Sequence, residues 1–149
     1  MVTRESFVDL ILSQLPFSPN EGQFALINAL AAFVLHRGPR DVFVLNGYAG
    51  TGKTSVIGAI VKAIRRAALR TVILAPTGRA AKVAAAMADD RASTIHKRIF
   101  RGNSVDPSNT TFFLAENRDA ETTFIVDEAS LITDSSGASS LLRQLTRHI

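Results

Sequence analysis

Residues 47–54 read Gly-Tyr-Ala-Gly-Thr-Gly-Lys-Thr, and this octet constrains the chain more than any other stretch. Three glycines within six residues sustain neither helix nor strand, so the segment is a turn. It follows the apolar run Val42-Phe43-Val44-Leu45 and opens a helical pattern from about Gly52 to Ala68. Strand, glycine-rich turn, helix is the order in which a backbone wraps a phosphate. Glycines allow positive φ and close approach of N–H groups to the anion. The following helix aims its N-terminus at the same anion. The Lys53 ammonium then reaches the β- and γ-phosphates, and the Thr54 hydroxyl ligates Mg2+. The candidate nucleotide contacts are Gly47, Tyr48, Ala49, Gly50, Thr51, Gly52, Lys53, Thr54 and Ser55, with Tyr48 and Thr51 shaping the loop. A turn that binds nothing has no use for the Lys-Thr pair at those positions.

The rest of the chain alternates helical and extended patterns. A first helix is expected over about residues 4–14, with Phe7, Leu10, Ile11 and Leu15 at helical spacing and Pro16 ending it. Ser18, Pro19 and Glu21 fill the N-cap, first-turn and N3 places of a capping box. That second helix carries Phe24, Ile27, Leu30, Ala31, Val34 and Leu35 and stops before Gly38-Pro39. Val42–Leu45, Thr71–Leu74 and Phe124–Val126 lack polar alternation, as strands buried on both faces do. Residues 78–87, 94–100 and 135–148 read as helices, 102–110 as a loop, and 111–114 as a weak strand. Such alternation predicts an α/β fold, a mostly parallel sheet flanked by helices, with ligands at the carboxyl ends of the strands.

Composition narrows the function. The chain has 149 residues, the size of one domain, and is 46% hydrophobic and 20% charged, enough for a packed core. It has no cysteine, which excludes a disulfide scaffold, a Cys-ligated zinc site, an iron–sulfur cluster and a Cys nucleophile. No apolar stretch approaches the ~20 residues of a membrane span. Glu5 and Asp9 interrupt the first apolar pattern, which makes a poor signal peptide and predicts a cytoplasmic protein. The net charge is +4, yet from Lys62 to Arg101 ten Lys and Arg face only Asp89 and Asp90. A basic middle of this kind either forms a polyanion-binding face or belongs to solvated helix surfaces that never converge.

A second motif, Phe124-Ile125-Val126-Asp127-Glu128-Ala129-Ser130, is an apolar strand ending in two carboxylates. Downstream of a phosphate loop, Asp127 would hold the Mg2+ shell, and Glu128 would orient or deprotonate an attacking water. The plainer alternative is that the pair caps the next turn.

With both motifs placed, the chain resembles the first RecA-like motor domain of a superfamily 1 DNA helicase. It is most similar to the RecD-like branch, which includes the alpha subunit of exodeoxyribonuclease V. The residues that carry this are Asn20-Glu21-Gly22-Gln23, GYAGTGKT at 47–54, LAPTGRAAKV at 74–83, STIHKRIF at 93–100 and FIVDEAS at 124–130. The resemblance implies ATP and Mg2+ as cofactors, with Lys53 and Glu128 catalytic and Thr54 and Asp127 at the metal. It implies that Gln23 reads adenine; the alternative is a surface polar residue. Thr77, Gly78 and Arg79 would hold phosphates of single-stranded DNA, or Thr77 would simply cap a helix. Thr94 and His96 would form a second DNA contact, or His96 would be structural. Ser130 is assigned no direct chemistry. The implied partner is single-stranded DNA, with movement 5′ to 3′, and the protein is either a stand-alone RecD-like helicase or joined to other subunits of a nuclease–helicase complex; no membrane is expected. Helicases of this kind carry a second RecA-like domain that supplies arginine fingers. Residues 1–149 are therefore expected to be the first motor domain only, a fragment that binds nucleotide and turns it over slowly. The competing expectations are a nucleotide-binding regulatory or assembly module without turnover, and a P-loop ATPase acting on protein.

Overall fold

Thr3 starts the first helix: its hydroxyl accepts a hydrogen bond from the Ser6 N–H, and its own N–H donates to the Ser6 hydroxyl. This computed structural model describes residues 2–38, 41–48, 50–103, 111–119, 121–132 and 140–149. Its helices are α1 (Arg4–Leu12), α2 (Glu21–His36), α3 (Lys53–Arg66), α4 (Gly78–Ala88), α5 (Ile95–Ile99) and α6 (Leu141–His148). Its strands are β1 (Arg70–Ala75), β2 (Ala92–Thr94), β3 (Phe100–Asn103), β4 (Thr111–Leu114) and β5 (Thr122–Val126). The chain is mixed α/β, with a parallel three-stranded sheet in the order β2-β1-β5 flanked by helices, consistent with a RecA-like P-loop domain. Strands β3 and β4 pair separately as an antiparallel ribbon. No helix among the described residues is long and apolar enough to cross a membrane.

The chain divides into two compact units, residues 1–71 with 86–90, and residues 72–85 with 91–149. In the first unit α1 packs on α2 and α3. Phe7 and Ile11 of α1, Ile27 and Ala31 of α2, and Val56 and Ile64 of α3 are fully buried. Burying a side chain of that size is worth about 1.5–3 kcal/mol, so these helices are held by packing more than by propensity. In the second unit Leu74, Ile95, Ile99 and Leu145 form the core, with Val72, Phe124 and Val126 packed against it. Ala75, Ala80 and Ala81 form a smaller cluster, where short side chains bring α4 close to the sheet.

Two expectations change. Helix α2 is capped two residues later than Ser18: Asn20 is the N-cap, its side chain accepts from the Gln23 N–H, and Gln23 is the N3 residue. The run Val42–Leu45 is not a strand. It pairs with no strand among the described residues, with Val42 72% and Val44 81% exposed, while Phe43 packs edge-on against Phe33 at 5.6 Å. Apolar content alone cannot make a strand, because the backbone must also find a pairing partner. Smaller differences concern the ends of elements. Gly102 and Asn103, read as loop, extend β3, and the final helix is seen from Leu141. Pro39, the rest of that loop at 104–110, and 135–139 of the expected final helix lie outside the described residues.

Candidate functional site

The first unit carries the phosphate loop. Gly50 and Gly52 have φ of +79° and +81°, the left-handed region that the glycine spacing anticipates. Gly52 is the N-cap of α3 and supplies no side-chain cap. The other α-helices are each capped by a side chain: Thr3 at α1, Asn20 at α2, Thr77 at α4, Thr94 at α5 and Ser140 at α6. The first N–H groups of α3 therefore retain the partial positive charge that the other helices neutralise. Lys53 opens α3, and its ammonium donates to the carbonyls of Gly47 and Tyr48 and lies 3.5 Å from Thr51 Oγ1. Thr51 Oγ1 donates to the Tyr48 carbonyl at 2.9 Å, so the loop is braced from within. Thr54 and Ser55 follow in the first turn, half-buried; Tyr48 is exposed, and Ala49 lies outside the described residues.

This donor set fits a polyphosphate. It combines uncapped helix N–H groups, a lysine ammonium and, at Gly50, open space where a side chain would stand. Among the described residues no group of three or more His, Asp or Glu could hold a metal ion unaided.

Gln23 belongs to the same unit. Its Oε1 accepts from the Asn20 N–H at 3.0 Å, and its Nε2 donates to the Thr51 carbonyl at 3.0 Å. The resemblance implies an adenine contact for this amide; in this structure it is the N3 residue of the α2 capping box and its Nε2 lies against the phosphate loop.

The second unit carries the acidic pair at the carboxyl end of β5. The Asp127 N–H donates to the Leu74 carbonyl at 3.0 Å, which holds Asp127 beside the end of β1. Asp127 Oδ1 accepts from the Glu128 N–H at 2.9 Å. Glu128 sits at φ 52°, ψ 39°, a left-handed conformation that costs a non-glycine residue about 1–2 kcal/mol. It precedes the short 3-10 turn Ala129–Leu131 but does not cap it through its side chain, so the capping alternative fails for this carboxylate. Ser130 is exposed within that turn.

The sheet register gathers the remaining candidates at the same end. Ala75 of β1 pairs with Thr94 of β2 in parallel. Thr77, Gly78 and Arg79 therefore leave β1 where Thr94 and His96 leave β2. All five are at least partly exposed. The Thr77 hydroxyl accepts from the Ala80 N–H at 3.2 Å, and the Thr94 hydroxyl from the Lys97 N–H at 3.2 Å. Both threonines thus act as helix caps, as the plainer reading of Thr77 had it. The His96 ring lies 5.5 Å from that of Phe100.

A family model described as an AAA domain matches residues 19–148, a span that includes every candidate site residue. No curated protein matches the chain.

Proposed function

We propose that this chain, which belongs to the AAA domain family, is the ATP-hydrolysing motor domain of a superfamily 1 DNA helicase of the RecD-like branch. Membership carries the coarser statement: this is a P-loop domain of the nucleotide-hydrolysing, helicase type. The observation that supports the reading best is the uncapped start of α3, directly behind two left-handed glycines and beside the Lys53 ammonium.

In this reading the α3 N–H groups and Lys53 bind the β- and γ-phosphates. Lys53 exchanges the Gly47 and Tyr48 carbonyls for phosphate oxygens, trading neutral acceptors for charged ones. Thr54 and Asp127 would hold Mg2+, which when bound neutralises charge on the β- and γ-oxygens. Glu128 accepts a proton from the attacking water; its carboxylate is exposed and free of a capping role. Thr77, Gly78, Arg79, Thr94 and His96 supply hydroxyl, N–H and cationic contacts to the phosphates of single-stranded DNA. The RecD-like assignment and association with a nuclease–helicase complex rest on the motif resemblance.

The test pairs binding with turnover. Lys53→Ala should weaken ATP binding at least about tenfold, since hydrogen bonds to charged groups are each worth about 1.5–3 kcal/mol. Glu128→Gln should preserve ATP binding and slow single-turnover hydrolysis by about 10²–10⁴. Equal ATP affinity in the wild type and Lys53→Ala refutes the loop assignment. Tight binding without hydrolysis by the wild type leaves a nucleotide-binding module instead of a motor.

A further inference from the structure

We infer that Arg98 and Asp119 are positioning residues for α5: their ion pair sets the roll of that helix and so the direction in which His96 is presented. The inference rests on the proposed contact of Thr94 and His96 with DNA phosphates, and names what holds that contact in place.

Helix α5 has five residues. Isolated helices shorter than about 12–15 residues are marginal in water, so its placement comes from what it touches. Ile95 and Ile99 are fully buried in the core of the second unit, four residues apart. Successive side chains stand about 100° apart around a helix, so these two define one line along its inner face. Apolar contacts on one line fix where a helix lies. They leave it free to roll, because apolar burial is non-directional. On the same count His96 and Arg98 fall about 80° to either side of that line, and Lys97 faces away from the core. Their burial agrees: Arg98 is half-buried, while His96 and Lys97 are exposed. A bond at Arg98 therefore acts to one side of the inner line, and it decides how far round His96 is turned.

Arg98 has such a bond. Its guanidinium donates to the carboxylate of Asp119, 21 residues along the chain. The Asp119 side chain is only 13% exposed, and a carboxylate so far from water needs a partner. Its backbone is held on both sides. The Asp119 N–H donates to Asn117 Oδ1 at 2.8 Å, and its carbonyl accepts from the Thr122 N–H at 3.2 Å, where β5 begins. The anchor is thus tied to a strand of the parallel sheet. On the opposite flank the His96 ring lies 5.5 Å from that of Phe100, which opens β3 and pairs with Leu114 of β4. A roll of α5 would move His96 against a ring that the ribbon holds still.

Charge gives the test its sign. Removing the Asp119 carboxylate raises the net charge and releases the Arg98 guanidinium. By Coulomb attraction alone, both tighten the hold on a polyanion. Loss of position loosens it. The experiment measures binding of a mixed-sequence single-stranded DNA oligonucleotide by the wild type, Asp119→Ala and Arg98→Lys. The ring proton resonances of His96, one of three histidines, are followed by NMR in the DNA-free proteins. Urea unfolding establishes which variants are folded. Arg98→Lys keeps both charges but replaces a planar fork by a point charge on a flexible stem.

The expected result for Asp119→Ala is weakening of oligonucleotide binding by about three- to tenfold, the worth of one hydrogen bond, despite the gain in charge. The His96 resonances should shift, because the Phe100 ring displaces them by an amount that depends on distance and tilt. Arg98→Lys should move both readouts in the same direction and by less. Unchanged His96 resonances in both variants, or binding by folded Asp119→Ala as tight as that of the wild type or tighter, overturns the inference. If Asp119→Ala does not fold, Arg98→Lys decides by the same two readouts. If the wild type binds no single-stranded DNA, the proposed DNA contact fails, and the His96 resonances still decide whether the ion pair sets the roll of α5.

Discussion

Replacing Gly52 by alanine separates backbone strain from the contact with Gln23. Gly50 and Gly52 have nearly the same φ, +79° and +81°, so a Cβ at either meets the same left-handed penalty of about 1–2 kcal/mol. Their surroundings differ. A Cβ at Gly50 has nothing within 4 Å, whereas one at Gly52 stands 2.7 Å from Gln23 Nε2. The amide must move, which breaks its bond to the Thr51 carbonyl at a cost of about 0.5–1.5 kcal/mol. Gly52→Ala should therefore exceed Gly50→Ala by about 1 kcal/mol, or about 2–4 °C in Tm for a chain of this size. In a Gln23→Ala background the excess should vanish, because the nearest atom outside Gln23 is Phe17 Cζ at 3.7 Å, an ordinary van der Waals contact. The double-mutant cycle then reports a coupling of about 1 kcal/mol between positions 23 and 52. With no tryptophan and one tyrosine, the chain is best followed by urea unfolding in far-UV circular dichroism. An excess that persists without Gln23 refutes the contact argument; equal costs at Gly50 and Gly52 in the wild-type background refute it as well.

Two further outcomes are expected. Arg79→Glu should weaken single-stranded DNA binding across all sequences and lower the slope of log affinity against log salt by about 0.7, one phosphate contact; an unchanged slope in a salt titration removes Arg79 from the DNA surface. Val44→Thr should change stability by less than about 0.5 kcal/mol, as exposed positions do; a loss well above that in urea unfolding would show that Val42–Leu45 is paired as a strand after all.

Much of the fold was legible because periodicity reports burial. The helical spacing of Phe7 and Ile11 marks the face that α1 buries, and the unbroken apolar run at 72–74 marks a strand inside the sheet. The phosphate loop was legible for a stricter reason, since Gly50 and Gly52 occupy backbone angles that few other residues adopt at low cost. Burial signals fail at Val42–Leu45, where the composition of an inner strand occurs without a pairing neighbour. The left-handed Glu128 was not legible, because nothing in Asp-Glu-Ala distinguishes that conformation from an ordinary turn. The start of α2 shows how such ambiguities are resolved. Ser18 with Glu21, and Asn20 with Gln23, are two overlapping capping boxes, and a cap of either kind is worth about 1 kcal/mol. Local chemistry cannot choose between options that close in energy. With Asn20 as the cap, Gln23 stands in the first turn, and its amide reaches both the Asn20 N–H and the Thr51 carbonyl. With Ser18 as the cap, Gln23 would lie two positions deeper in the helix, where its side chain could no longer close the box. The second box therefore wins through a bond to a residue 28 positions away, and the same bond that settles where the helix begins holds the loop that follows it.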